Sequence, residues 1–377
     1  MSSRIAVLFL SLAISVPSLA GETVKDSGRA HCDLGKFQRL PALLLIGENH
    51  CRDSSTKVKD EMTALGAEGK IFAAFEAADM RVVYPWNADL LYADFGAART
   101  ERSRIFGIDS PFAHGLAISY GYASGTASIC AKDPHKDSFA RFIKALRNNP
   151  YLQRSWEEVR DAPLSAEDSG LAGLLNAIEE ARTSSEDISR AASQPLSEEG
   201  YPSFLRIAAR VNARYVAMAN ERYLPDLGLT DRLTPYPEIR GPWALRKILP
   251  DWSFAQADDA KITVPVRNRD MFDNIADIYC LAAAEGKNMA VSMGADHVPG
   301  VEGYLRRWSG DAIPLKAERS FVQKLPDDDL SAAGPVLEAL SALSLASPQG
   351  KALSPALPKK ASSLDRFDFS SAENNRR

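Results

Sequence analysis

Three short apolar runs, each halted by a glycine or an acid, constrain this chain most. Leu43-Leu44-Leu45-Ile46 stops at Gly47-Glu48-Asn49-His50, and Ile71-Phe72-Ala73-Ala74-Phe75 stops at Glu76. Met289-Ala290-Val291-Ser292-Met293 stops at Gly294-Ala295-Asp296-His297. These runs lack the polar alternation of a half-exposed strand, so other elements must cover both faces, as in a parallel sheet between helices. Between the first two, Asp53, Ser54 and Ser55 are N-cap candidates. Val58, Met62 and Leu65 then recur at helical spacing until Gly66 and Gly69 end the run. Such a strand–helix–strand unit places its strands parallel through a right-handed crossover, with their C-terminal ends opening on one edge. That edge is where open parallel sheets bind ligands, and Glu48, His50 and Glu76 are expected to share it.

The second half repeats the sentence. Asp270 to Ala284 reads as a helix with Ile275, Ile278, Tyr279 and Ala282 on one stripe and Gly286 as its stop. The strand Met289–Met293 follows, then a helix over Val301–Trp308 and a strand over Ala312–Leu315. Of the five histidines, two stand at the same place in the same local pattern, apolar strand, Gly-x-x-His, helix. The expected fold is α/β, a pseudo-symmetric two-repeat, parallel-rich sheet flanked by helices, occupying residues 30–320. Residues 135–232 are rich in helix formers, with Phe204 to Tyr223 the clearest amphipathic run, and read as a helical insertion between the halves. Residues 232–266, with many prolines and aromatics, are expected to be an irregular connection. From Ser347 to Arg377 periodicity is lost, the pattern of a disordered tail.

Composition narrows the function classes. With 45% hydrophobic and 25% charged residues the chain can bury a sizeable core. The 45 Lys and Arg against 49 Asp and Glu leave a formal charge of -4, without the basic excess that nucleic-acid binding needs. Arg4, the apolar run Ile5–Val16 and Pro17-Ser18-Leu19-Ala20 form the pattern of a signal peptide. Removal of residues 1–20 would leave a secreted or periplasmic chain with no membrane span. In an oxidising compartment Cys32, Cys51, Cys130 and Cys280 can pair in three ways. Cys280 lies in an apolar helical pattern and reads as core, whereas Cys51, next to His50, is placed to hold a loop.

The chemistry-bearing residues lie at the strand ends. A histidine just past a strand end titrates near neutral pH and serves as general base or metal ligand, which singles out His50 and His297. His31, His114 and His135 lack that context and read as structural or solvent-exposed. Glu76 closes an apolar strand, where a charge needs a cation, a donor or a metal. It is placed to orient His50 or to ligate a metal, with a salt bridge to an arginine as the plainer alternative. Glu48 and Asp296 flank the histidines or cap the following helices. Arg267, ahead of the second repeat's helix, opposes the helix dipole and therefore calls for another partner, such as a substrate carboxylate or a developing oxyanion. Dinucleotide, P-loop, Gly-x-Ser-x-Gly and Cys-x-x-Cys patterns do not occur.

Leu44 to His50, Phe75-Glu76, Arg267-Asn268 and Gly294 to Gly300 together resemble the superfamily of erythromycin esterases, ChaN haem-binding proteins and TraB and TIKI peptidase-like proteins. The resemblance covers the two outer segments, about a third of the chain. It implies a cleft gathering His50, Glu48, Glu76 and His297, with a small molecule or peptide as substrate and hydrolysis as the activity. His50 would deprotonate or position water, and Glu76 would orient it or bind a divalent metal. His297 would complete the site or stabilise the oxyanion. As possible metal ligands the resemblance implies His50, Glu76 and His297. The alternative is a ChaN-like protein holding haem or another ligand without turnover. From that branch the chain departs in lacking a lipoprotein cysteine after the signal peptide.

Overall fold

The structure is a computed structural model that describes residues 31–48, 53–76, 104–125, 134–184, 196, 200–238, 252–318 and 333–346. His50, Cys51, Cys130, His135's side chain, the expected signal peptide and the expected tail lie outside the described residues. The strands are β1 (Leu43–Glu48), β2 (Phe72–Phe75), β3 (Ile105–Gly107), β4 (Met289–Gly294) and β5 (Leu315–Glu318). All pair in parallel, in the order β3-β2-β4-β1-β5. This is an α/β fold. The second repeat's strand β4 lies between the two strands of the first repeat, so both Gly-x-x-His segments leave the same edge on adjacent strands. Their register is offset by one residue, with Glu48 opposite Gly294.

Strand alternation divides the core into two layers. Leu43, Leu45, Phe72, Ala74, Phe106 and Val291 face α7 (Trp252–Glu285) and α8 (Val298–Ser309). Leu44, Ile46, Ala73, Phe75 and Ala290 face α1 (Asp53–Ala67) and α9 (Gly334–Leu345). A third core belongs to the helices between the halves, α2 (Pro111–Ser124), α3 (Pro134–Asn148), α4 (Pro150–Arg160), α5 (Ala172–Thr183) and α6 (Gly200–Met218). After α6 the chain makes a π-helical turn, Ala219–Tyr223. No described helix is long and apolar enough to cross a membrane.

Several expectations need correction. The helix expected from Asp270 begins at Trp252, so of the connection expected to be irregular, residues 232–238 are irregular and residues 252–266 are helical. Pro265 sits inside the helix, where it removes a hydrogen bond and reads in sequence as a breaker. Burial of Thr263 and Val266 on either side holds the helix through it. Arg267 is therefore in a helix interior, and the dipole argument for its partner does not apply. The last strand starts at Leu315 rather than Ala312, because Gly310 and Asp311 take left-handed backbone (φ 57° and 62°). Cys280 is not plain core. It is disulfide-bonded to Cys32, with Cα atoms 5.8 Å apart, and ties the segment before β1 to α7.

Candidate active site

β2 and β3 each run into an acid at the C-terminal edge, and one arginine joins the two. Glu76 follows β2 directly and continues the ladder, its N–H donating to the Ser292 carbonyl at 2.9 Å. Strand alternation puts its side chain on the face of Phe72 and Ala74, toward α7. Asp109 follows β3 by two residues and is fully buried. Arg267 reaches between them from α7. Its guanidinium donates to Glu76 Oε1 and to both Asp109 oxygens, at 2.5 Å to Oδ2 and 3.3 Å to Oδ1. Glu76 Oε2 accepts the Gly294 N–H at 2.6 Å, so the glycine of the second repeat is itself part of the site.

His297 closes the cluster, and its partners fix its tautomer. Arg267 has only donors, and its Nη1 lies 3.1 Å from His297 Nε2, so Nε2 must carry the lone pair. The proton is then on Nδ1, which faces Asn268 Oδ1 at 2.7 Å. Burial and the neighbouring guanidinium hold this imidazole below its ordinary pKa, with Glu76 opposing them, which agrees with a neutral ring. Both nitrogens are engaged, so His297 in this state positions Arg267 and takes up no proton. Asn268 in turn packs on Gly300, where a Cβ would come within 2.9 Å of its Cγ.

The buried charges follow from these contacts. Burial alone would raise the Asp109 carboxyl, but Arg267 and His114 carry it below the ordinary carboxylate range. The Arg267 guanidinium rises above its ordinary value against the burial penalty because Asp109 and Glu76 surround it. One turn further along α7, Asp270 accepts the Ser110 N–H at 3.0 Å and lies 3.4 Å from Asn274 Nδ2, which also donates to the Ile108 carbonyl at 2.9 Å. These polar residues of α7 fasten the turn that carries Asp109. With no cation against it among the described residues, Asp270 is pushed by burial and by Asp109 up to about 7, the Ser110 N–H opposing. Tyr223, from the π-helical turn, brings its hydroxyl to the same Asp270 and Ser110.

Of the residues singled out from sequence, Glu76, Arg267 and His297 meet here, and His50 lies outside the described residues. Glu48 does not join them. It shares the sheet face of Leu44 and Ile46, and its carboxylate lies 2.7 Å from Lys59 Nζ of α1. Asp109, Asp270 and His114 were not singled out. Asp109 had a readable signal, since Ile105-Phe106-Gly107-Ile108 halts at Asp109 as Ile71–Phe75 halts at Glu76. His114, read as structural or solvent-exposed, faces Asp109 Oδ2 across 3.7 Å.

A divalent cation does not fit the donor set formed by Glu76 and His297. Both carboxylate oxygens and both ring nitrogens are already engaged, and the guanidinium stands where a cation would bridge them. No group of three His, Cys, Asp or Glu suited to a metal occurs among the described residues. Comparison of the chain with protein-family models, curated proteins and solved structures returns no match.

Proposed function

We propose that this chain is an exported hydrolase that cleaves an ester or amide bond of a small molecule or peptide with a histidine-activated water. The observation that carries the reading is the buried Glu76–Arg267–Asp109 cluster with His297, at the sheet edge from which both Gly-x-x-His segments emerge. Export is supported by the signal-peptide pattern of residues 1–20 and by the Cys32–Cys280 disulfide, a bond that persists in oxidising compartments.

In this reading His50, two residues past Glu48 in the sequence, takes a proton from water as the oxygen attacks the carbonyl carbon. Arg267 stabilises the charge that develops on the carbonyl oxygen, and Glu76, Asp109 and His297 hold its guanidinium in place. Positioned general bases contribute about 100- to 10,000-fold and an oxyanion donor about 100- to 1,000-fold. Because the ligating atoms of Glu76 and His297 are taken up by Arg267, the Gly294 N–H and Asn268, no step is routed through a metal.

The test is a panel of ester and peptide substrates offered to the purified chain beginning at Gly21, alongside His50→Ala. Turnover that falls at least about 100-fold in the variant supports the reading. Turnover that His50→Ala leaves intact removes the proposed base. A Soret absorbance band with no turnover would favour ligand binding instead.

A further inference from the structure

Resting on the hydrolase reading, we infer that His114 is the proton donor to the leaving group and that Asp109 aims it. Hydrolysis moves two protons, one off the attacking water and one onto the departing oxygen or nitrogen. His297 is engaged at both nitrogens, by Arg267 and Asn268, and its side chain is only 5% exposed. His114 differs on both counts. Its Nδ1 faces the buried Asp109, 3.7 Å away, its side chain is 16% exposed, and Nε2 has no hydrogen-bond partner among the described residues. A buried carboxylate opposite Nδ1 selects the Nδ1–H form and leaves Nε2 to exchange protons with a ligand. The 3.7 Å separation is the loose geometry expected before a substrate is bound.

The backbone around His114 is fixed as a catalytic turn requires. Ser110 caps α2, with its hydroxyl accepting the Ala113 N–H at 3.1 Å, and Pro111 occupies the first helical position. The Pro111 carbonyl accepts from Asn149 Nδ2 at 2.7 Å, and the Phe112 carbonyl from Tyr215 Oη at 3.0 Å. At Gly115 a Cβ would collide with the Tyr215 hydroxyl and come within 2.7 Å of Asn149 Nδ2. Helical side chains tilt toward the N-terminus, so the first turn of α2 delivers His114 back to the sheet edge beside Asp109. Asn149 and Tyr215 belong to the helical insertion, which thereby buttresses the donor.

The proton balance closes. His50 takes a proton from water while the new C–O bond forms. His114 enters this step protonated at both nitrogens, and the bond to the leaving atom breaks as its Nε2–H transfers a proton to that atom, leaving the ring in the Nδ1–H form. Subsequently His50 releases a proton to solvent and His114 recovers one from it. No other reactant is needed.

The experiment compares wild type, His114→Gln and His114→Ala on acetate esters whose leaving groups run from p-nitrophenol to ethanol. Nitrophenolate departs without protonation and ethoxide does not. The expected result is a kcat loss of about 100-fold for ethyl acetate against less than about 3-fold for the nitrophenyl ester, with added imidazole restoring His114→Ala. Equal loss across the series, or no loss, overturns the assignment while leaving the hydrolase reading standing. A wild type inert to every ester and peptide sinks the hydrolase reading itself, and the donor role with it. Independently of turnover, the two-bond 1H–15N spectrum of the deprotonated His114 ring is expected to show the Nδ1–H tautomer, the state left after donation from Nε2, and an Nε2–H tautomer of that neutral ring would overturn the proposal.

Discussion

Replacing Asp270 with asparagine isolates one buried carboxyl and converts its environment into a measurable pH dependence. In the folded chain the Asp270 carboxyl is held near 7, whereas an exposed aspartate titrates near 3.8. A raised acid binds its proton more tightly folded than unfolded. Its contribution to stability is therefore complete below about 3.8 and is lost as the pH rises through about 7. At about 1.4 kcal/mol per pH unit, the wild type should lose roughly 3 kcal/mol between pH 5 and pH 8 from this group alone. The substituted amide would not titrate, and its oxygen can still accept the Ser110 N–H. Urea unfolding of both proteins at pH 5, 6.5 and 8, followed by tryptophan fluorescence with the disulfide intact, gives the comparison. Other titrating groups cancel in the difference. The expected outcome is a stability gap that moves in favour of Asp270→Asn by about 3 kcal/mol from pH 5 to pH 8, chiefly between about pH 5 and 7 and levelling off above about 7. Parallel stability curves would refute the reasoning, because they would mean that burial and Asp109 do not raise this carboxyl.

Arg267→Met leaves Glu76 and Asp109 buried without their shared cation and should cost about 3–5 kcal/mol at pH 7, read by urea unfolding. Because Asp109 is held low by Arg267, that cost is present above the carboxylate range and should shrink as the pH falls toward 3. Gly300→Ala drives a methyl into the Asn268 amide and should cost about 1–3 kcal/mol and release the His297 Nδ1–H contact, visible in the ring 15N shifts. Gly303→Ala in the same helix meets nothing nearer than Arg307 Nη1 at 3.5 Å and should gain up to about 1 kcal/mol, so equal effects at the two glycines would refute the packing account. Cys32→Ala with Cys280→Ala opens a 248-residue separation and should lower stability by about 3–5 kcal/mol in thermal or urea unfolding.

What the sequence made legible follows the range of its signals. β1, β2 and β4 were readable because burial on both faces writes an uninterrupted apolar run into a few consecutive residues. Glu76 and His297 were readable because a polar group halting such a run is costly unless it has a partner. Arg267 was singled out for a reason that fails, since it lies within α7 rather than at a helix start, and the carboxylates it meets are the chain's own Glu76 and Asp109. The start of α7 was hidden by Pro265, whose local preference is overridden by tertiary burial. β3 spans only three residues, too short for periodicity, and Asp109 was lost with it. His114 stands in a helix whose spacing says nothing about the acid five residues earlier, and the Cys32–Cys280 bridge joins parts of the chain with no local pattern in common.

The two Gly-x-x-His segments look equivalent in sequence, yet the one-residue register offset gives their glycines different work. Opposite Met293, Gly47 lies beneath the turn that follows β4, where a Cβ would approach Ala295 Cα and Val298 Cγ2 to 3.2 Å. Its missing side chain lets the segment bearing His297 cross close to β1. Gly294 instead contributes a backbone N–H, donated to Glu76. The offset also decides which acid belongs to the cluster. Glu48, one residue past Gly47, points to the α1 face and Lys59, while Glu76 on the other side of β4 points to the α7 face and Arg267. Sequence symmetry between the repeats therefore locates the sheet edge but not the assignment of charges. That assignment comes from strand alternation and from α7, which lays Arg267 and Asn268 against the site and Asp270 beneath the Asp109 turn.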